Sequence, residues 1–261
     1  MKVALTIAGS DPSGSAGIQL DLKVFSALGL WGCAVLTSLT AQNSLGVKDT
    51  YQIEGDFVYK QIQTIVEDFQ PDTVKIGMLL TGDAVYNVAK AIKDFRLKNI
   101  VLDTVIKSKN GKYLLSEEAL NLFKNELMPV VDILTPNIPE LEALTNTTIK
   151  SIDDIKLALK ILKEKTKASI VAKGGHFNLK DKVIDIIFDG KDFIELVYPR
   201  ADIKEPRGTG CLYSSAIAGY LAKGYSDIEA IKRAKAFINL AINNALQIGK
   251  GYPFLNPFTY F

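Results

Sequence analysis

Short apolar runs alternate along the chain with longer segments in which apolar residues recur every three or four positions. The short runs predict strands at residues 3–8, 34–40, 73–76, 99–103, 131–134 and 169–172. The periodic segments predict helices at 17–28, 58–68, 82–94 and 116–126. In the first of these, Ile18, Leu22, Phe25 and Leu28 fall on one face. Ser116 is a predicted N-cap, and Ser151 with Asp154 opens a further helix in the manner of a capping box. After residue 180 the rhythm changes. Apolar runs at 182–188 and 193–197 flank Asp189 and Gly190, a hairpin signal. Two helices follow, one at 211–223 stopped by Gly224, the other at 226–247 opened by Ser226 and Glu229. Repeated strand–helix units predict an α/β fold: a mostly parallel central sheet with helices on both faces, plus an antiparallel hairpin at one edge. No linker, repeat or low-complexity stretch interrupts the 261 residues, which read as one domain.

Composition narrows the function. The net charge of +2 gives no footprint for nucleic acid or a membrane surface. A basic excess at residues 156–173 reads as a solvated helix face. Two cysteines, Cys33 and Cys211, and one histidine, His176, supply neither a disulfide framework nor a zinc site. The apolar run at 3–8 is too short for a signal peptide, and no stretch is long enough to span a bilayer. A cytoplasmic location is the expectation.

In open parallel sheets, ligands sit beyond the carboxyl ends of the strands. The polar and glycine-rich segments fall there: residues 9–14, 40–43, 75–78, Asp103, 135–137 and 173–175. Gly208, Thr209, Gly210 and Cys211 then lead into a small-residue helix. Such a turn either aims backbone N–H groups and the helix dipole at an anion or simply starts a helix. A thiol at that place, Cys211, should have a depressed pKa, because the thiolate gains from the same N–H groups. There is no Gly-Lys-Ser/Thr triplet, so no Walker loop. A dinucleotide fingerprint fails because Tyr213 replaces its third glycine. Asp103 and Glu140 are candidates to hold Mg²⁺, directly or through water. For Glu140 a capping role competes, with Asn137 as N-cap and Pro139 in the first turn.

Seven segments in order resemble those of the hydroxymethylpyrimidine/phosphomethylpyrimidine kinases of the ribokinase-like superfamily. They are residues 8–23 (AGSDPSGSAGIQLDLK), 37–43 (TSLTAQN), 74–79 (VKIGML), 102–105 (LDTV), 134–140 (LTPNIPE), 173–176 (KGGH) and 208–211 (GTGC). The resemblance runs from residue 3 to about residue 257. It implies a three-layer α/β/α ribokinase-like fold and phosphoryl transfer from ATP to 4-amino-5-hydroxymethyl-2-methylpyrimidine, then to its monophosphate, in thiamine biosynthesis. It implies that Gln42 bonds the aminopyrimidine edge in a pocket lined by Gly9, Asp21, Met78 and Val105. It implies an anion hole at Gly208, Thr209, Gly210 and Cys211, with Cys211 where many ribokinase relatives carry a general-base aspartate. Asn137 and Lys173 would lie near the nucleotide phosphates, and Asp103 and Glu140 would position Mg²⁺ and water. Lys235 would either reach phosphate or be a surface lysine. A homodimer is implied as well. Departures from the family pattern are Arg207, which reads as a phosphate contact or a rim charge, Leu212, Ser44, and residues 104–109. The alternatives are a pyridoxal/pyridoxine kinase of the same fold, which Gln42 and Asn43 argue against, and a non-catalytic binding relative. A ribokinase-type sugar kinase would carry aspartate at position 211.

Overall fold

A computed structural model describes residues 1–106, 114–176, 181–201 and 206–258. Strands β1 (Val3–Ser10), β2 (Trp31–Asn43), β3 (Gly46–Gln52), β4 (Thr73–Ile76), β5 (Ile100–Leu102), β6 (Ile133–Leu134), β7 (Ser169–Ala172), β8 (Lys182–Phe188) and β9 (Phe193–Pro199) form one sheet. Its order is β3-β2-β1-β4-β5-β6-β7-β8-β9. The six strands β2, β1, β4, β5, β6 and β7 run parallel. The helices are α1 (Gly17–Ala27), α2 (Gly55–Asp68), α3 (Gly82–Asp94), α4 (Glu117–Leu122), α5 (Ile138–Thr145), α6 (Ile152–Lys163), α7 (Thr209–Ala222) and α8 (Asp227–Asn243).

Because strand side chains alternate, each inner strand feeds two cores. Ile100 and Leu102 pack with α2, α3 and α6, whereas Val101 between them packs with α1, α7 and α8. This produces three layers, helix on sheet on helix. Ser116 caps α4 by accepting the Ala119 N–H at 3.2 Å. The Ser151 and Asp154 capping box of α6 is present in full.

The sheet is antiparallel at both edges rather than one. Beyond the expected β8–β9 hairpin, β3 pairs antiparallel with β2. Six of the seven β3 residues are exposed, so no apolar alternation marks it in sequence. Helix α8 ends at Asn243, short of the expected 247, and Leu246 turns back to pair with Phe254. Ser226 makes no side-chain cap for α8, and Glu229 pairs instead with Arg233 at 2.8 Å. The basic run at 156–173 is a solvated face over α6, where Lys156 pairs with Glu195, but its last member, Lys173, points inward.

Candidate active site

The carboxyl ends of the central strands meet the N-terminus of α7 through two glycine turns in contact. Gly208 precedes α7 at φ 83°, and a Cβ there would run into the Ser15 carbonyl and lie 2.6 Å from Leu20 Cδ2. Gly17 opens α1 at φ 58°, and its Cβ would run into the Gly9 carbonyl. Only glycine meets both demands, left-handed backbone and no side chain. Asp11 stiffens the turn between them by accepting from Ser13 N (2.9 Å), Ser13 Oγ (2.8 Å) and Ser15 Oγ (2.9 Å). No side chain caps α7. The first amide bonded within that end is Leu212 N–H, to Gly208 O at 2.8 Å. The earlier N–H groups, at Thr209, Gly210 and Cys211, are therefore the orphan donors of a helix start.

Two buried ion pairs flank this end. Lys173 Nζ lies 2.7 Å from Asp103 Oδ1, which also accepts from Thr135 Oγ1 at 3.2 Å. A Cβ on Gly210 would lie 3.1 Å from Asp103 Oδ2 and 3.5 Å from Lys173 Nζ, so the pair borders the helix terminus directly. Burial works to raise the Asp103 carboxyl, but Lys173 and then Lys75 outweigh it and hold it below the usual carboxylate range. The second pair is Lys75 Nζ to Asp21 Oδ2 at 2.8 Å, both side chains fully buried. Asp21 further accepts from Thr6 at 2.6 Å and Ser215 at 2.7 Å. Burial works to lower the Lys75 ammonium, but Asp21 foremost, with Cys211 and Asp103, holds it above its ordinary value. Asp21 is thus the buried counter-ion of Lys75 and also acts on the Cys211 thiol.

The capping reading of Glu140 is the one the structure shows. It is the capping-box partner of Asn137, with the Asn137 N–H donating to Glu140 Oε2 at 2.9 Å and the Glu140 N–H donating to Asn137 Oδ1 at 2.9 Å. Thr104 Oγ1 also donates to it at 2.9 Å. It is 4 % exposed and faces the same Lys173 as Asp103. Burial pushes its carboxyl up to about 7, with Lys173 opposing and Asp103 adding to the rise. Lys173 thus faces both carboxyls, Asp103 and Glu140. Among the described residues no three metal-ligating side chains cluster. The donor set suits a hard cation that keeps most of its water and takes oxygens from a ligand.

The Cys211 thiol is pushed up to about 11, the reverse of the sequence expectation. Burial dominates. Lys75 and the Gly17 N–H favour the thiolate, but Asp21 and Asp103 oppose them. Two carboxylates brought near by the fold offset what the helix start gains.

On one side of the α7 terminus lies a cavity of about 480 Å³ whose walls include Asn137, Lys173, Thr209, Gly210 and Lys235. Lys235 is not a surface lysine: it is 6 % exposed and pairs with Asp185 Oδ2 at 2.7 Å. Gly9, Met78 and Gln42 lie outside these walls, at the carboxyl ends of β1, β4 and β2. Met78 Cε would lie 2.7 Å from a Cβ on Gly9. Gln42 shares a strand face with Ser38, which abuts Gly9, and with Thr40, which donates to Ser10 O at 2.8 Å. A register shift in the β2–β3 pairing falls at Gln42, whose half-buried amide has no partner among the described residues. Val105, half-buried, follows β5, its N–H donating to Asp103 O at 2.8 Å.

Arg207 joins the end of β2 to the segment after α8. Its Nη1 donates to Asn43 O at 3.0 Å, and its N–H donates to Pro253 O at 3.1 Å. The segment after α8 completes the wall, with Tyr252 N–H donating to Ser44 O at 3.0 Å and Gly251 N–H to Ser44 Oγ at 3.1 Å. Residues 107–109 and the side chain of His176 lie outside the described residues. Sequence reasoning gave no role to Lys75 or Asp185. Each is a charged residue flanked on both sides by apolar ones, in Thr73–Ile76 and Lys182–Phe188, and that interruption was the available signal.

A sequence model described as phosphomethylpyrimidine kinase matches residues 11–256. The hydroxymethylpyrimidine/phosphomethylpyrimidine kinase of Aquifex aeolicus is 42% identical over 254 residues, 97% of this chain and 99% of that protein. A crystal structure of phosphomethylpyrimidine kinase from Clostridium difficile superposes with a TM-score of 0.81 at 40% identity, covering 93% of this chain and 100% of that one. The ADP complex of Bacillus subtilis pyridoxal kinase superposes with a TM-score of 0.91 at 32% identity, covering 100% of this chain and 98% of that one.

Proposed function

The chain belongs to the phosphomethylpyrimidine kinase family and is a phosphotransferase; from that premise we propose that it transfers the γ-phosphoryl group of ATP to hydroxymethylpyrimidine and then to its monophosphate, supplying thiamine biosynthesis. The observation that carries this reading is the uncapped start of α7, beside the Asp103–Lys173 pair and the 480 Å³ cavity. A phosphoryl group passing from that cavity toward Gln42 and Met78 meets backbone donors where its charge develops.

In this reading the aminopyrimidine edge bonds to the Gln42 amide, and Gly9, Met78 and Val105 wall its ring. A ring lacking the matching edge leaves that amide unpaired, which gives selectivity. Asn137, Lys173 and Lys235 face the triphosphate in the cavity. Asp103 and Glu140 would hold Mg²⁺ through water and phosphate oxygens; the ion, when bound, screens the negative charge of the transferring group. Gly208, Thr209, Gly210 and Cys211 cradle the transferred phosphate. Little covalent work falls to the protein, because phosphoryl transfer depends on alignment and charge neutralisation. Cys211 starts as the thiol, so any base role begins only after the charges around it change. We further propose a single domain acting as a cytoplasmic homodimer. Leu39 and Tyr51, directly paired on the β2–β3 edge and 45% and 70% exposed, support a second copy there.

The test is an ADP-release assay with Mg-ATP, comparing hydroxymethylpyrimidine, its monophosphate and pyridoxal, with Gln42→Ala alongside. Preference for the pyrimidines, lost in the variant, is the expected result. Preference for pyridoxal would keep the kinase and replace the substrate. No turnover with any of the three would sink the proposal.

A further inference from the structure

The wall of the cavity remote from the α7 terminus holds a buried charge that the proposed mechanism leaves unused. Asp185 lies in the middle of β8, 1 % exposed, among Ile184, Ile186 and Ile187. An unpaired carboxylate there would be strongly disfavoured. Its two oxygens are spent in different directions. Oδ1 accepts the Gly174 N–H at 3.0 Å, and Oδ2 pairs with Lys235 Nζ, reaching in from α8, at 2.7 Å. Gly174 itself is pressed against β8, since a Cβ there would collide with the Ile184 carbonyl. The residue before it is Lys173, whose ammonium pairs with Asp103 at the α7 terminus. The backbone of Lys173 and Gly174 therefore links two ion pairs, Asp103–Lys173 and Asp185–Lys235. Lys173, Asp185 and Lys235 all line the same cavity.

We propose that Asp185 is a positioning residue for the nucleoside triphosphate: it fixes Lys235 across the cavity and ties the backbone next to Lys173 to β8. This rests on the reading that the cavity takes ATP. Lys235 is otherwise a four-carbon side chain free to swing from α8, and a lysine loses rotamer freedom each time it is ordered by a ligand. Anchored by Asp185, that ordering is complete before the nucleotide arrives, as preorganised sites require. The Tyr213 and Tyr198 rings, each 5.8 Å from Nζ, complete the cage around the ammonium.

The experiment is calorimetric titration of the full chain with Mg·AMP-PCP, which reads binding without turnover. Four proteins are compared: wild type, Asp185→Asn, Lys235→Met and the double variant. Asparagine keeps the acceptor for Gly174 and removes the charge that holds Lys235. The expected result for each single variant is a Kd raised about tenfold or more, as for loss of one member of a buried charged pair. The double variant should bind within about twofold of Lys235→Met, because Asp185 acts on this arm through Lys235 and the effects do not add. The KM for the pyrimidine should stay within about twofold in all variants that turn over, since Gln42, proposed to bond the second substrate, lies outside the cavity walls. Nucleotide binding unchanged or tighter in Asp185→Asn would overturn the proposal, as would a pyrimidine KM raised in step with the nucleotide Kd. Should Asp185→Asn fail to fold, the double variant carries no unpaired buried charge and remains measurable. Then Lys235→Met binding like wild type, or the double variant binding much more weakly than Lys235→Met, overturns it. Wild type that binds no nucleotide would instead remove the reading of the cavity itself.

Discussion

Replacing Cys33 with serine leaves Cys211 as the chain's one thiol, and its titration tests the charge balance of the site directly. Burial and the Asp21 and Asp103 carboxylates push this thiol up to about 11 against the pull of Lys75 and the Gly17 N–H. Near pH 7.5 about one molecule in three thousand would carry the thiolate, against about one in ten for an ordinary cysteine near 8.5. Alkylation proceeds through the thiolate, so this is a deficit of roughly 300-fold in reactive form, partly offset by the greater nucleophilicity of the more basic sulfur. Limited access scales the whole curve without moving its midpoint. The assay is the rate of iodoacetamide modification, or thiolate absorbance, followed as pH rises in the Cys33→Ser protein. The expected profile climbs tenfold per pH unit to beyond about pH 10. A plateau by about pH 8 would refute the reasoning, showing that the α7 amides and Lys75 outweigh burial and the two carboxylates.

Three further outcomes follow from the same geometry. Gly208→Ala places a Cβ against the Ser15 carbonyl at a left-handed position; it should cost about 2 kcal/mol of stability and about 100-fold in kcat/KM, read by urea unfolding and ADP release. Activity within about threefold of wild type would count against the amide cradle. Lys75→Met strands the buried Asp21 carboxylate and should destabilise the fold by about 3–5 kcal/mol, with Asp21→Asn in the same chain recovering much of the loss. The Glu140 carboxyl is raised on folding from 4.5 to about 7, so the folded state holds its proton more tightly. Metal-free wild type should therefore lose stability as pH rises from about 4.5 to about 7, and Glu140→Gln should flatten that slope in urea midpoints measured across the range.

The central strands were legible because each is an apolar run ending in a polar or glycine-rich turn, and burial on both faces demands that pattern. Strand β3 was not, because an exposed edge strand needs no apolar period. The placement of Asp103 and Lys173 at one rim followed from parallel topology, which sends each parallel strand's carboxyl end the same way. What sequence could not carry were partnerships between residues far apart. Asp21 pairs with Lys75, Lys173 with Asp103, and Lys235 with Asp185, at sequence separations set only by the fold. Those pairs turned Lys235 from a surface lysine into a cavity wall. The Cys211 thiol departs from its expected direction chiefly through burial, with the Asp21 and Asp103 carboxylates adding to it; a local helix-start argument omits both.

The contact between Ser44 and Gly251 joins residues 207 positions apart. At about 5–20 residues per second, a ribosome makes the second roughly 10–40 seconds after the first. Throughout that interval the Gln42 edge of β2 exists without the segment that closes over it, and Arg207, once made, precedes by 46 positions the Pro253 carbonyl that accepts its N–H. A nascent chain halted after α7 would already contain every strand of the sheet and the amide cradle, yet lack the wall behind Asn43 and Ser44. Competence to hold the small substrate would thus arrive late in synthesis, with the segment that follows α8.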